Sequence, residues 1–299
     1  MANQQHWHTE RPKQKREKTQ HADSYIKKGI QGSFLHNVYV VGWVDLLGYG
    51  AMLRECSFDI TSKNAKDAVR RIALFQSVLQ EKADKYMPIL QLNDGAILWR
   101  RLSFRTTSIT FDFIKRAIDL FVTINEIDME NGFYGARMVI AAGLYTSINN
   151  ARRRDVRIWR ADNLLQQIKN EEKTIEEAIH EACFHQGYIN EIQELQANFA
   201  FTKAYAAESS GKEGGFEGNH LFIDCNLLDL QNLNWMKYGK EISWVYPGLS
   251  GNFIEYMSMD SQIANARNGA GIQTTEGIAM TLLGNVPNKQ ELLARLKGV

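Results

Sequence analysis

Apolar and polar positions along this chain switch between two periods, and the switching points outline a mixed fold. Val38-Tyr39-Val40-Val41-Gly42-Trp43-Val44 is a continuous apolar run of strand length. It ends on Asp45 and a glycine-containing turn, Leu46-Leu47-Gly48-Tyr49-Gly50-Ala51. From Asn64 to Met87, residues Ala65, Ala68, Val69, Ile72, Phe75, Leu79 and Ala83 recur at helical spacing and predict a core-facing stripe. Pro88 to Trp99 reads as two β-like halves around Asp94-Gly95, a strong hairpin signal. A second helical pattern runs from Ser108 to about Met129 through Phe113, Ile114, Ala117, Phe121 and Ile124. Gly132 and Gly135 then bracket the turn into a strand from Ala136 to Tyr145. The predicted order to this point is β-α-β-β-α-β, an α+β arrangement.

Beyond Thr146 the pattern changes. Arg152-Arg153-Arg154 leads into a charged helix carrying Leu164, Leu165, Ile168, Ile175, Ile179 and Cys183, which reads as a helical insertion over about 148–194. Gln196 to Ser210 is expected to be a helix with Phe199, Thr202, Tyr205 and Ala206 on one side. Gly211 to Gly218 reads as a mobile turn, because it lacks the Lys-Ser or Lys-Thr ending of a phosphate-binding P-loop. His220–Cys225 and Glu241–Tyr246 look like two further strands, with helices after about Phe253. The expected division is a flexible basic arm over 1–34, a main domain over 35–250 and a helical extension over 251–299.

Composition narrows the partners. Net charge is +1, so no global field recruits nucleic acid or an anionic membrane. The basic cluster Arg11 to Lys18 is read as a solvated tail. Cys56, Cys183 and Cys225 lack the spacing of a disulfide framework or a zinc site, which fits a reducing cytoplasm. The basic start has no apolar core of signal-peptide length, and no window matches a membrane span, so a cytoplasmic protein is expected.

Asp45 and Asp94 carry the candidate chemistry. A carboxylate where a buried strand meets solvent, followed by a turn whose N–H groups can face an anion, is how a metal–triphosphate site is built. Mg²⁺ takes oxygen ligands and is commonly held by one or two carboxylates plus substrate phosphates, so two such acids can share a pair of Mg²⁺ or Mn²⁺ ions. Phosphoryl transfer is the favoured reaction class. Taken singly, Asp45 caps a helix and Asp94 opens a turn.

Val44-Asp45-Leu46-Leu47-Gly48-Tyr49, the Asn93-Asp94 hairpin, and Arg137 with Gly143 further along its strand resemble the catalytic domain of class III nucleotidyl cyclases. The likeness is strongest to the short bacterial pyrimidine cyclases of Pycsar anti-phage defence, whose Ala-Tyr-x-x-Glu helix is similar to Ala204-Tyr205-Ala206-Ala207-Glu208. The resemblance implies a ferredoxin-like palm and cyclisation of a nucleoside triphosphate to a 3′,5′-cyclic second messenger. It implies that Asp45, Asp94 and the Leu46 carbonyl bind two metal ions, with Leu47, Gly48, Tyr49 and Gly50 in the phosphate-receiving turn. Arg137 would contact the polyphosphate; a strand-end salt bridge is the other role open to it.

Two departures from that pattern matter. The family's late helix supplies an Asn and an Arg, and here those positions hold Thr202 and Ala206. Either Lys203, Lys237, Lys240 or an arginine of Arg152–Arg154 substitutes, or the transition state lacks its cationic clamp; with a register shifted by one turn, Asn198 takes the Asn role. The lysine that reads adenine would fall near Leu90, where there is none, so UTP or CTP is favoured. The resemblance also implies a homodimer with sites at the subunit interface. The alternatives are a non-catalytic cyclase-like module that binds nucleotide or protein and, more weakly, a palm that handles nucleic acid.

Overall fold

The structure, a computed structural model, describes residues 34–57, 59–148, 161–184, 192–265 and 269–298. In chain order the elements are β1 (Phe34–Leu46), α1 (Tyr49–Glu55), α2 (Lys63–Lys82), β2 (Ile89–Leu92), β3 (Gly95–Arg101), α3 (Ser108–Glu130), β4 (Ala136–Ile148), α4 (Ile175–Phe184), α5 (Phe199–Ser210), β5 (Leu221–Asp224), β6 (Met236–Tyr246), β7 (Leu249–Met259), α6 (Ser261–Asn265), α7 (Thr275–Leu283) and α8 (Lys289–Lys297). Residues 161–169 are also helical. The chain divides into two compact units, residues 36–145 with 197–299 and residues 1–35 with 146–196. The smaller unit holds α4 and the helix over 161–169. The basic arm and Arg152–Arg154 lie outside the described residues.

The larger unit is built on a seven-stranded sheet in the order β2-β3-β1-β4-β5-β7-β6. Its first four strands, with α2 and α3 as connections, form the ferredoxin-like βαββαβ unit, so the fold is the α+β palm that the pattern predicts. Side chains alternate across β1. Val38, Val40, Val44 and Leu46 join Phe75, Leu79, Phe113, Ile114 and Phe121 in the core under α2 and α3. Each such side chain, fully buried, contributes about 1.5–3 kcal/mol. Trp43 and Asp45 point to the opposite face, where Trp43 packs edge-on against Tyr205 of α5, ring centroids 5.2 Å apart. The start of α5 rides directly on β4: a Cβ on Gly143 would lie 2.1 Å from the Ala200 nitrogen, so only glycine fits.

The structure corrects the pattern at four places. The hairpin turn is Asn93-Asp94, with Asn93 in the left-handed region (φ 56°), and Gly95 already belongs to β3 opposite Asp45. Gly95 is required by Trp43, since a Cβ there would lie 2.6 Å from the indole ring. The buried face of α2 is Ala68, Arg71, Phe75, Val78 and Leu79, while Val69 is exposed. Residues 249–259 are a strand, β7, paired with both β5 and β6, so a boundary at 250 would cut a hairpin. Gly211–Gly218 is a packed segment in which Phe216 is fully buried among Phe222, Trp244 and Phe253. Phe216 anchors it, and glycine content alone hid that anchor.

Candidate active site

Asp45 is the last but one residue of β1 and lies opposite Gly95 in antiparallel register with β3. The Leu46 N–H donates to the Asp94 carbonyl at 3.0 Å, which locks the strand end to the hairpin tip. The two acids therefore occupy adjacent strand ends. Asp94 Oδ1 accepts from Asn93 Nδ2 at 3.0 Å, and Asp45 Oδ1 reaches within 3.3 Å of the Cβ position of Gly95. Leu47 donates its N–H to the Gly135 carbonyl at 2.9 Å. Gly48 then turns the chain into α1 at φ 76°, a conformation that favours glycine. Tyr49 is buried and Gly50 exposed, so the turn alternates between anchoring and open positions.

The electrostatics of this corner are acidic. The Asp45 carboxyl is pushed up to about 7, first by burial and then by the carboxylates of Glu208 and Asp94, against the pull of Arg137 and Arg71. A divalent cation would relieve that strain, so the two acids fit an Mg²⁺ or Mn²⁺ site completed by phosphate oxygens. No three His, Cys, Asp or Glu side chains among the described residues are grouped to hold a metal by themselves.

The remaining expected residues are engaged within the chain. Arg137 directs Nε (2.9 Å) and Nη2 (2.6 Å) onto Glu208 Oε1, and its Nη1 donates to the Phe216 carbonyl at 2.9 Å. It is the strand-end salt bridge in this structure. Asn198 caps α5, its side-chain oxygen accepting from Ala200 and Phe201 N–H at 3.0 and 3.2 Å. Lys203 is buried with Nζ 2.7 Å from Asp224 Oδ2 and 5.3 Å from the Phe253 ring centroid. Asn198 thus caps α5, and Lys203 ties α5 to β5. Thr202 bonds back to the Asn198 carbonyl at 3.2 Å, and Lys240 donates to the Gly215 carbonyl at 3.3 Å.

Three residues that matter here have no site role in the sequence pattern, although Glu208 closes the Ala-Tyr-x-x-Glu likeness. Glu208 supplies the largest neighbouring negative charge at Asp45, ahead of Asp94. Arg71, fully buried on α2, forms a two-pronged ion pair with Asp128 of α3. The signal was present in the spacing: residues 68, 71, 75 and 78 form one helical stripe, in which a charged residue requires a buried partner.

No protein-family model matches the chain, and no curated protein matches it. Among solved structures it is similar to the guanylyl cyclase Cya2, at 9% identity over 76% of this chain and 94% of that one, with a TM-score of 0.44. It is similar to a bacterial light-regulated adenylyl cyclase at 8% identity over 88% and 70%, with a TM-score of 0.41. It is also similar to the guanylyl cyclase domain of a RhoGC fusion protein from the aquatic fungus Blastocladiella emersonii, at 10% identity over 76% and 98%, with a TM-score of 0.37. No helix among the described residues is long and apolar enough to cross a membrane.

Proposed function

We propose that this protein is a metal-dependent nucleotidyl cyclase that converts a nucleoside triphosphate, UTP or CTP by preference, into a 3′,5′-cyclic monophosphate and pyrophosphate. The observation that carries the reading is the backbone bond from Leu46 to Asp94, which ties the end of the strand bearing Asp45 to the hairpin tip bearing Asp94, beside a glycine turn. Bound there, Mg²⁺ or Mn²⁺ would lower the pKa of the ribose 3′-hydroxyl and neutralise charge on the polyphosphate. Asp45 and Asp94 would hold the ions, and backbone N–H groups of the Gly48–Gly50 turn would face phosphate oxygens, with the Tyr134 ring packed where a Gly48 side chain would sit. The pyrimidine preference is supported by Leu90 on β2, near which the resemblance places the lysine that reads adenine. A role in anti-phage defence follows the same family likeness.

A homodimer belongs to this reading. Both guanidinium groups whose fields reach Asp45 are paired with carboxylates of their own chain, Arg137 with Glu208 and Arg71 with Asp128. A transition-state cation from a second copy would complete the site. The same observation favours a second reading, a cyclase-like module that binds the metal–triphosphate without turnover. Incubation with each of the four ribonucleoside triphosphates and Mn²⁺, followed by mass spectrometry, separates them. A cyclic monophosphate names the enzyme and its base; binding without product supports the module.

A further inference from the structure

We propose that Arg71 is a positioning residue of this site, holding the Leu47–Gly48 peptide so that the Gly48 N–H faces outward to receive a phosphate oxygen. The inference rests on the metal–triphosphate reading and adds to it a residue on the far side of the turn.

The geometry is a closed circuit. Arg71 Nε and Nη2 contact Asp128 Oδ1 and Oδ2 at 2.8 and 2.7 Å. Nη1 donates to the Leu47 carbonyl at 3.0 Å, and Nη2 to the Gly135 carbonyl at 3.1 Å. Asp128 Oδ2 also accepts from the Gly135 N–H at 2.8 Å, while Gly135 accepts from the Leu47 N–H. The guanidinium lies 5.0 Å from the Phe133 ring centroid. Arg71 is 0% exposed, so water cannot replace any of these partners.

A peptide unit is planar and trans, with its C=O and N–H pointing in opposite directions. Pinning the Leu47 oxygen inward on Arg71 therefore aims the Gly48 N–H away from the core. Gly48 is exposed and carries no side chain to cover that donor. Because Asp128 neutralises Arg71 in place, the residue acts mainly through direction and less through field. Only a planar fork can serve a carboxylate and two carbonyls at once; a lysine ammonium is a point charge without that geometry.

The test uses the full-length protein with Mn²⁺ and a non-hydrolysable nucleoside triphosphate, alongside Arg71→Lys. In the wild type, the Gly48 amide is expected to exchange freely without ligand and to become protected when the Mn²⁺–triphosphate binds. Arg71→Lys keeps the charge and is expected to weaken that binding by about tenfold to a hundredfold. Its pH midpoint should stay unchanged and exchange should accelerate at residues 47–51 first. Calorimetric binding with an unprotected Gly48 amide overturns the inference while leaving the site reading intact. So does wild-type affinity in a folded Arg71→Lys. Absence of any triphosphate binding to the wild type overturns the site reading itself. If Arg71→Lys fails to fold, the wild-type Gly48 measurement decides alone.

Discussion

Asp45 carries a proton at pH values where an ordinary carboxylate has lost it, because burial and the neighbouring charges of Glu208 and Asp94 penalise its ionised form. Cation binding requires the carboxylate, so affinity for Mn²⁺–triphosphate should rise with pH through about 7, and calorimetric titration from pH 5.5 to 8.5 reads it. Stability runs the other way. The folded pKa lies above the ordinary 3.8, so the free protein binds the extra proton when folded and loses that stability as pH rises from about 4 through about 7. Asp45→Asn should remove this slope, giving a higher Tm than wild type at pH 8 in the absence of metal. Glu208→Gln removes the largest neighbouring negative charge and releases Arg137 from its partner. Both changes lower the Asp45 pKa, so the midpoint of metal–triphosphate binding should move to lower pH.

At the scale of elements, α5 shows how a helix that looks equipped for chemistry is used to close a sheet. Lys203 and Asp224 form a buried pair, with Asp224 fully inaccessible and also accepting the Ala142 N–H at 3.1 Å. Lys203→Met should cost about 3–5 kcal/mol in denaturant unfolding by leaving Asp224 uncompensated, and adding Asp224→Leu should recover only part of it, because the Ala142 and Asn226 N–H groups lose their acceptor. Asn198→Ala should cost about 1 kcal/mol as a lost cap. These roles were not legible in the chain, because an Asn, a Lys and an Asp separated in sequence carry no mark of which will be buried together. The hairpin was legible to within one residue, since Asn93-Asp94-Gly95 offers two adjacent turns, and Gly95 enters the strand against the Trp43 ring. On α2, counting apolar residues favoured Val69 over Arg71, because the spacing rule ignores a charge whose partner lies on another helix.

Across the whole molecule, the order β-α-β-β-α-β was readable because β1, β4, α2 and α3 are long and strongly patterned, and the short β2 is marked by its hairpin turn. The edge hairpin β6–β7 was readable only in part: the burial along β6 is sparse, and Leu249–Met259 lacks the alternation that marks a strand. The candidate site follows from the palm rather than from any one motif, since the register of β1 on β3 is what converts two distant acids into one cluster. If these carboxylates act as a unit, their effects on turnover should be strongly non-additive. The decisive measurement is the rate of cyclic nucleotide formation with Mn²⁺ and the preferred triphosphate in wild type, Asp45→Ala, Asp94→Ala and the double variant. Product from the wild type and an equal, near-complete loss in all three variants are expected. Wild-type turnover in either single variant, or losses that simply multiply, would contradict a shared two-acid metal site.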